Sequence, residues 1–190
     1  MGITQQIGAS SLIRPGVCTS TTRPSGPYEG QMIYTTDLDT LELWNGSAWK
    51  VISYGSVPLC VLENASVSLL DATNTEIPYT SEVTDTYNWH SNSTNTTRIT
   101  PTIAGVYLVT VMLNNVSSGT RALHGVFKNG AATTVPVFMD TPATIDDFSV
   151  VGYVTANGST DYFEHRALQT SGATKTNIKS QFGMKWICAA

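Results

Sequence analysis

The sequence predicts an all-β fold, and three observations carry that expectation. Apolar residues recur in short runs broken by Gly, Asn or Pro along the whole chain, and nowhere do they repeat at helical spacing for more than two turns. Charged residues make up 13% of the 190 residues, against about 25% in an ordinary soluble protein. Thr, Ser, Asn and Gly take their place, and these suit pleated strands and the turns between them. Finally, Asn-Gly pairs at Asn45-Gly46, Asn129-Gly130 and Asn157-Gly158 stand between apolar runs, where a tight hairpin needs positive φ.

Residues 1–30 read as an extended attachment arm. Pro15, Gly16, Pro24, Gly26, Pro27 and Gly30 prevent a continuous helix or a central strand. The arm's apolar residues Ile3, Ile7, Leu12 and Ile13 cannot form a core alone, so with Arg14 and Pro15 they are the expected anchor to another surface. Residues 31–56 follow as a small connector. Three short strands, 31–35, 41–44 and 49–52, are separated by Asp37-Leu38-Asp39-Thr40 and Asn45-Gly46-Ser47-Ala48. A three-stranded meander of this size needs outside support. Gly55-Ser56-Val57-Pro58 reads as the hinge into the main domain, residues 57–190.

That domain is read as ten strands, near 59–63, 66–71, 75–79, 97–100, 105–114, 121–128, 134–139, 147–155, 161–168 and 181–188. Between the third and fourth lies a polar loop that carries Tyr87, Trp89 and His90. Two readings stand for its rings: an aromatic platform for a sugar, or pins that hold the loop on the sandwich. The run Val106-Tyr107-Leu108-Val109-Thr110-Val111-Met112-Leu113 is apolar at nearly every position. A strand in a two-sheet sandwich normally keeps one face polar. Both faces of this one need cover, and a second molecule is the economical source. Tyr107, Val109, Val111, Leu113 and Tyr153 are the expected contact residues.

The order Ile77-Pro78-Tyr79-Thr80, Asp85-Thr86, then Arg98-Ile99-Thr100-Pro101-Thr102-Ile103-Ala104-Gly105-Val106-Tyr107 resembles the trimeric jelly rolls of the tumour necrosis factor and complement q-subunit family. Arg121 to Gly130, Asp161 to Arg166 and Phe182 to Ile187 continue the resemblance over about residues 57–190. It implies a ten-stranded-type jelly-roll sandwich that forms a homotrimer. The preceding Arg23-Pro24-Ser25, Gly30-Gln31-Met32-Ile33-Tyr34 and Trp44-Asn45-Gly46-Ser47-Ala48-Trp49 are similar to a module of bacteriophage tail fibres and surface proteins. Together the two resemblances imply a phage virion protein.

Other classes are disfavoured. A net charge of −4 with no run of Lys or Arg offers nothing to phosphates. No apolar stretch approaches the ~20 residues that span a bilayer, and the N-terminal residues lack a secretory signal. The six Asn-x-Ser/Thr triplets, from Asn45 to Asn157, are therefore read as turn and strand residues. His90, His124 and His165 have no zinc spacing, no nucleophile or phosphate-loop motif is present, and no cofactor is expected. Cys18, Cys60 and Cys188 are read as buried free thiols, a Cys60–Cys188 bridge being left open. The expectation is a non-enzymatic, trimeric capsid decoration or cement protein at the virion surface, held to the major capsid protein or another virion protein by its arm. The alternative is a tail-fibre or tail-tip module that recognises host surface glycans.

Overall fold

A computed structural model describes residues 15–64, 66–114, 122–133, 147–177 and 179–189. Ile3, Ile7, Leu12, Ile13, Arg14 and the expected strand 134–139 lie outside the described residues. The chain is all-β, and it divides into two compact units, Met1–Ser56 and Val57–Ala190.

In the first unit, β1 (Gly16–Cys18), β2 (Met32–Thr35), β3 (Thr40–Trp44) and β4 (Trp49–Tyr54) form one sheet in that order. The expected meander thus has a fourth strand, drawn from the segment read as an extended arm. Pro15 sits just before the strand, where its missing N–H costs nothing, and β1 pairs parallel to β2 over only three residues. Pro24 and Pro27 fall in the connection that folds back over one sheet face. There Arg23 forks onto the buried carboxylate of Glu42, Nε to Oε2 at 2.9 Å and Nη2 to Oε1 at 2.7 Å. Thr40 donates a third hydrogen bond to Glu42 at 3.0 Å. A forked, charge-assisted pair of this kind fixes orientation as well as adding energy. Ile33 is the only fully buried apolar side chain among the described residues of this unit.

The second unit is a two-sheet sandwich. One sheet holds β5 (Leu59–Asn64), β8 (Ser81–Asp85), β10 (Ala104–Asn114), β13 (Asp147–Asn157) and β16 (Lys179–Cys188), in the order β13-β10-β16-β5-β8. The other holds β7 (Thr75–Glu76), β9 (Arg98–Ile99), β11 (Ala122–Lys128), β12 (Ala131–Ala132) and β14 (Phe163–Gln169), in the order β12-β11-β14-β7 with β9 also on β14. A small ladder joins β6 (Val67–Leu69) to β15 (Lys175–Asn177). The sequence reading missed β8 and β15 because Ser81-Glu82-Val83-Thr84-Asp85 and Lys175-Thr176-Asn177 are almost wholly polar, as suits an edge. The β11–β12 hairpin turns at Asn129-Gly130, with φ of 53° and 78°.

Between the sheets Tyr79, Ile99, Tyr107, Phe163, Phe182 and Met184 pack in one apolar cluster. A chain of polar rings crosses it: the Tyr79 hydroxyl meets His165 Nδ1 at 2.6 Å, and His165 Nε2 meets His124 Nδ1 at 2.9 Å. Both imidazoles are fully buried. Burial lowers the His124 pKa to about 4. Burial, and then the neighbouring His124, holds His165 well below the usual histidine range. With both rings neutral, each ring carries one N–H and one bare nitrogen, so protons that run in one sense along the chain give every bond one donor and one acceptor.

A histidine whose folded-state pKa is depressed contributes stability that is present above its unfolded value near 6.5 and lost as pH falls through the folded value. The unfolding free energy is therefore expected to be flat from pH 8 to 7. Between pH 6.5 and 5 it should fall, approaching about 1.4 kcal/mol per pH unit for each histidine. Denaturant titrations across this range test it. His124→Gln should remove roughly half the slope, and an unchanged slope in that variant would contradict the assignment.

Candidate functional site: the outward face of the five-stranded sheet

Strand β10 places its side chains alternately on the two faces of its sheet, and the structure fixes the phase. Tyr107, Val109, Val111 and Leu113 are 0%, 2%, 1% and 0% exposed, and they belong to the sandwich core. They cannot touch a second molecule, which corrects the sequence expectation. The phase is set at the start of the strand. The Tyr107 hydroxyl donates to the Ile103 carbonyl at 2.5 Å. At Gly105 a Cβ would lie 2.3 Å from the Cys188 carbonyl oxygen and 2.5 Å from Trp186 Nε1. Only glycine permits that approach, and the register of β10 against β16 shifts just beyond it, between Val106 and Tyr107.

The outward set is Val106, Leu108, Thr110 and Met112. Register extends it into three rows. Tyr153, Leu108, Lys185 and Leu59 lie abreast, then Val151, Thr110, Gly183 and Val61, then Ser149, Met112, Gln181 and Glu63. Tyr153 is 60% exposed and Val151 55%, so Tyr153 is the one expected contact residue that faces outward. In the middle row a Cβ on Gly183 would lie 2.6 Å from Thr110 Oγ1 and 3.8 Å from Val61 Cγ2, so these two side chains close over the buried glycine, with half-buried Leu108 and Met112 on either side. Lys179 and Glu63 pair at 3.2 Å at one margin, and hydrogen bonds from Lys179 and Gln181 hold the Glu63 carboxyl below its usual range. At the β13 end the face runs into an open cleft of about 610 Å³ lined by Val106, Tyr153, Thr155, Lys128, Ala131 and Thr133. Such a surface offers apolar area flanked by the ammonium groups of Lys185 and Lys128 and by the Lys179–Glu63 pair.

The aromatic loop is built differently from the sugar platform considered above. Trp89 is 2% exposed, its Nε1 donates to Thr102 Oγ1 at 3.0 Å, and its ring packs on Tyr107 at 5.4 Å and on half-buried Tyr87 at 5.9 Å. His90 reaches the carbonyls of Arg98 and Tyr79 at 2.8 and 3.1 Å. These three residues pin the loop. A Trp offers more apolar area to the core than any other side chain, and burial wins over display. The thiols also differ from expectation: Cys60 is buried, Cys18 half-buried and Cys188 exposed, and all are free. Cys60 faces Met184 across the ladder, four residues short of Cys188.

The sequence reading missed the buried ring chain and a second polar cluster on β14. Glu164, fully buried, accepts from Arg98 at 3.0 Å and from Arg166 at 2.6 Å, and Arg166 also reaches Glu76 at 2.8 Å. These ion pairs belong to the fold, since each charge is consumed by its partner.

No family model and no curated protein matches the sequence. Solved structures do. PRD1 vertex protein P5 is similar at 16% identity and a TM-score of 0.52, over 70% of this chain and 100% of that one. Murine APRIL, crystallised at pH 8.5, follows at 13% identity and a TM-score of 0.45, over 68% and 99%. The globular domain of zebrafish complement 1qA gives 13% and 0.42, over 66% and 94%. The likeness is one of fold: an all-β jelly roll.

Proposed function

We propose that this chain is a non-enzymatic structural protein of a phage particle, which trimerises through the outward face of its five-stranded sheet and decorates the capsid. The carrying observation is that face: Tyr153 and Val151 stand exposed beside half-buried Val106, Leu108 and Met112, on a sheet whose strand β10 has its other side already committed to the core. Exposed apolar patches of this kind mark association surfaces. A fold shared with a protein described as a vertex protein supports the virion setting, as does the Gly30-Gln31-Met32-Ile33-Tyr34 to Trp49 module. Burial of Trp89 favours decoration over glycan recognition, because the loop that the alternative relied on keeps its largest ring inside. In this reading a bound trimer stabilises the shell by mass action, favouring the states it can grip.

The anchor is assigned to residues 1–14, which precede the β1 strand and the Arg23–Glu42 clamp. Purified protein lacking those residues is expected to keep its assembly state and its circular dichroism, yet no longer to co-sediment with capsids. Full-length protein that fails to co-sediment with, or be detected on, purified virions would overturn the virion reading. Undiminished capsid binding by the truncated protein would overturn the anchor.

A further inference from the structure

The small unit uses one face of its sheet and leaves the other open. The connection through Arg23 covers the Ile33–Glu42 side. On the opposite side Val17 lies abreast of Tyr34 and Leu41, and Met32 abreast of Leu43 and Lys50. Val17 is 68% exposed, the other four apolar side chains are half-buried, and Lys50 is exposed at the margin. Among the described residues of the unit Ile33 is the only buried apolar side chain and Cys18 is free, so they show neither the core nor the covalent staple that so small a unit normally needs.

We propose that this face is an interface between copies of the same chain, so that the small sheets of one assembly complete each other's core. The inference rests on the head assembling as a trimer. Size decides between a second copy and a foreign protein. Four strands at about 4.8 Å spacing and five residues at about 3.4 Å give a face of roughly 300 Å². Three such faces round one axis bury roughly 900 Å² in total, still under the ~1,200 Å² of a free-standing specific interface. A contact that small holds only where its halves are already tethered. The small unit ends at Ser56 and the head begins at Val57, so copies joined through their heads meet at millimolar effective concentration. Charge points the same way. Lys50 is the sole formal charge in these rows, so a partner chosen by charge has little to read, whereas apolar rows match apolar rows.

The test uses the full-length chain with the photo-crosslinker p-benzoylphenylalanine in place of Val17, and separately in place of Ser47 in the β3–β4 turn. Illumination of the assembled protein should link chains from position 17 and not from position 47. In parallel, Leu43→Glu should speed hydrogen exchange of amides 32–44 at least tenfold while amides 104–114 stay protected and the assembly keeps its mass. A trimer by sedimentation that shows neither the crosslink nor the faster exchange overturns this inference alone. A monomer by sedimentation overturns the trimer reading and this inference with it.

Discussion

The two-sided apolarity of β10 is the constraint on which the rest of the molecule depends. The strand hydrogen-bonds to β13 on one side and β16 on the other over nearly its full length, so it has no free edge and only its faces remain to be satisfied. One face is met within the chain by the opposing sheet. Its alternate residues supply four side chains to that core, Tyr107 and Leu113 among the largest in it, and the turn at Ile103–Gly105 fixes which four. The other face is left with Val106, Leu108, Thr110 and Met112, and the neighbouring strands add Tyr153, Val151 and Val61, with the charges of Lys185 and Glu63 in the flanking rows. Apolar area of this extent on both sides of one sheet is what an assembling subunit requires.

Polar groups inside the sandwich act on specificity. The Tyr79, His165 and His124 chain ties the loop before β8 to two strands of the opposite sheet. A slip of one residue in β14 would turn His165 outward and leave the phenol and His124 unpaired in an apolar interior, an expensive outcome. The Arg23–Glu42 fork has the same role in the small unit, where Ile33, the one buried apolar side chain among the described residues, could not by itself decide how the connection folds back. In the sandwich the apolar contacts supply most of the stabilisation, and in both units the buried hydrogen bonds select one arrangement.

Much of this was legible in the sequence, for definite reasons. Asn129-Gly130 and Asn157-Gly158 marked turns because positive φ is rarely tolerated by other residues, and β2, β3 and β4 stood out between Asx-rich turns. Other features left no signal. The phase of β10 is invisible where both its odd and even residues are apolar, so Tyr107 and its three companions were placed outward when they point in. β1 is too short, and too rich in neighbouring Pro and Gly, to show as a strand. The histidines are far apart in sequence, and only the β11–β14 register, which puts His124 opposite Ala167 and beside His165, brings them together. Trp89 was identified as important, but loop position alone does not tell an inward ring from an outward one.

The central claim is that the outward face of the β10 sheet is covered by further copies of the chain. Sedimentation equilibrium on the full-length protein at micromolar concentration, alongside Leu108→Glu, tests it most directly. The account predicts three times the chain mass for the parent and a folded monomer for the variant, because Leu108 lies outside the core. A monomeric parent, or a variant whose mass is unchanged, would contradict it.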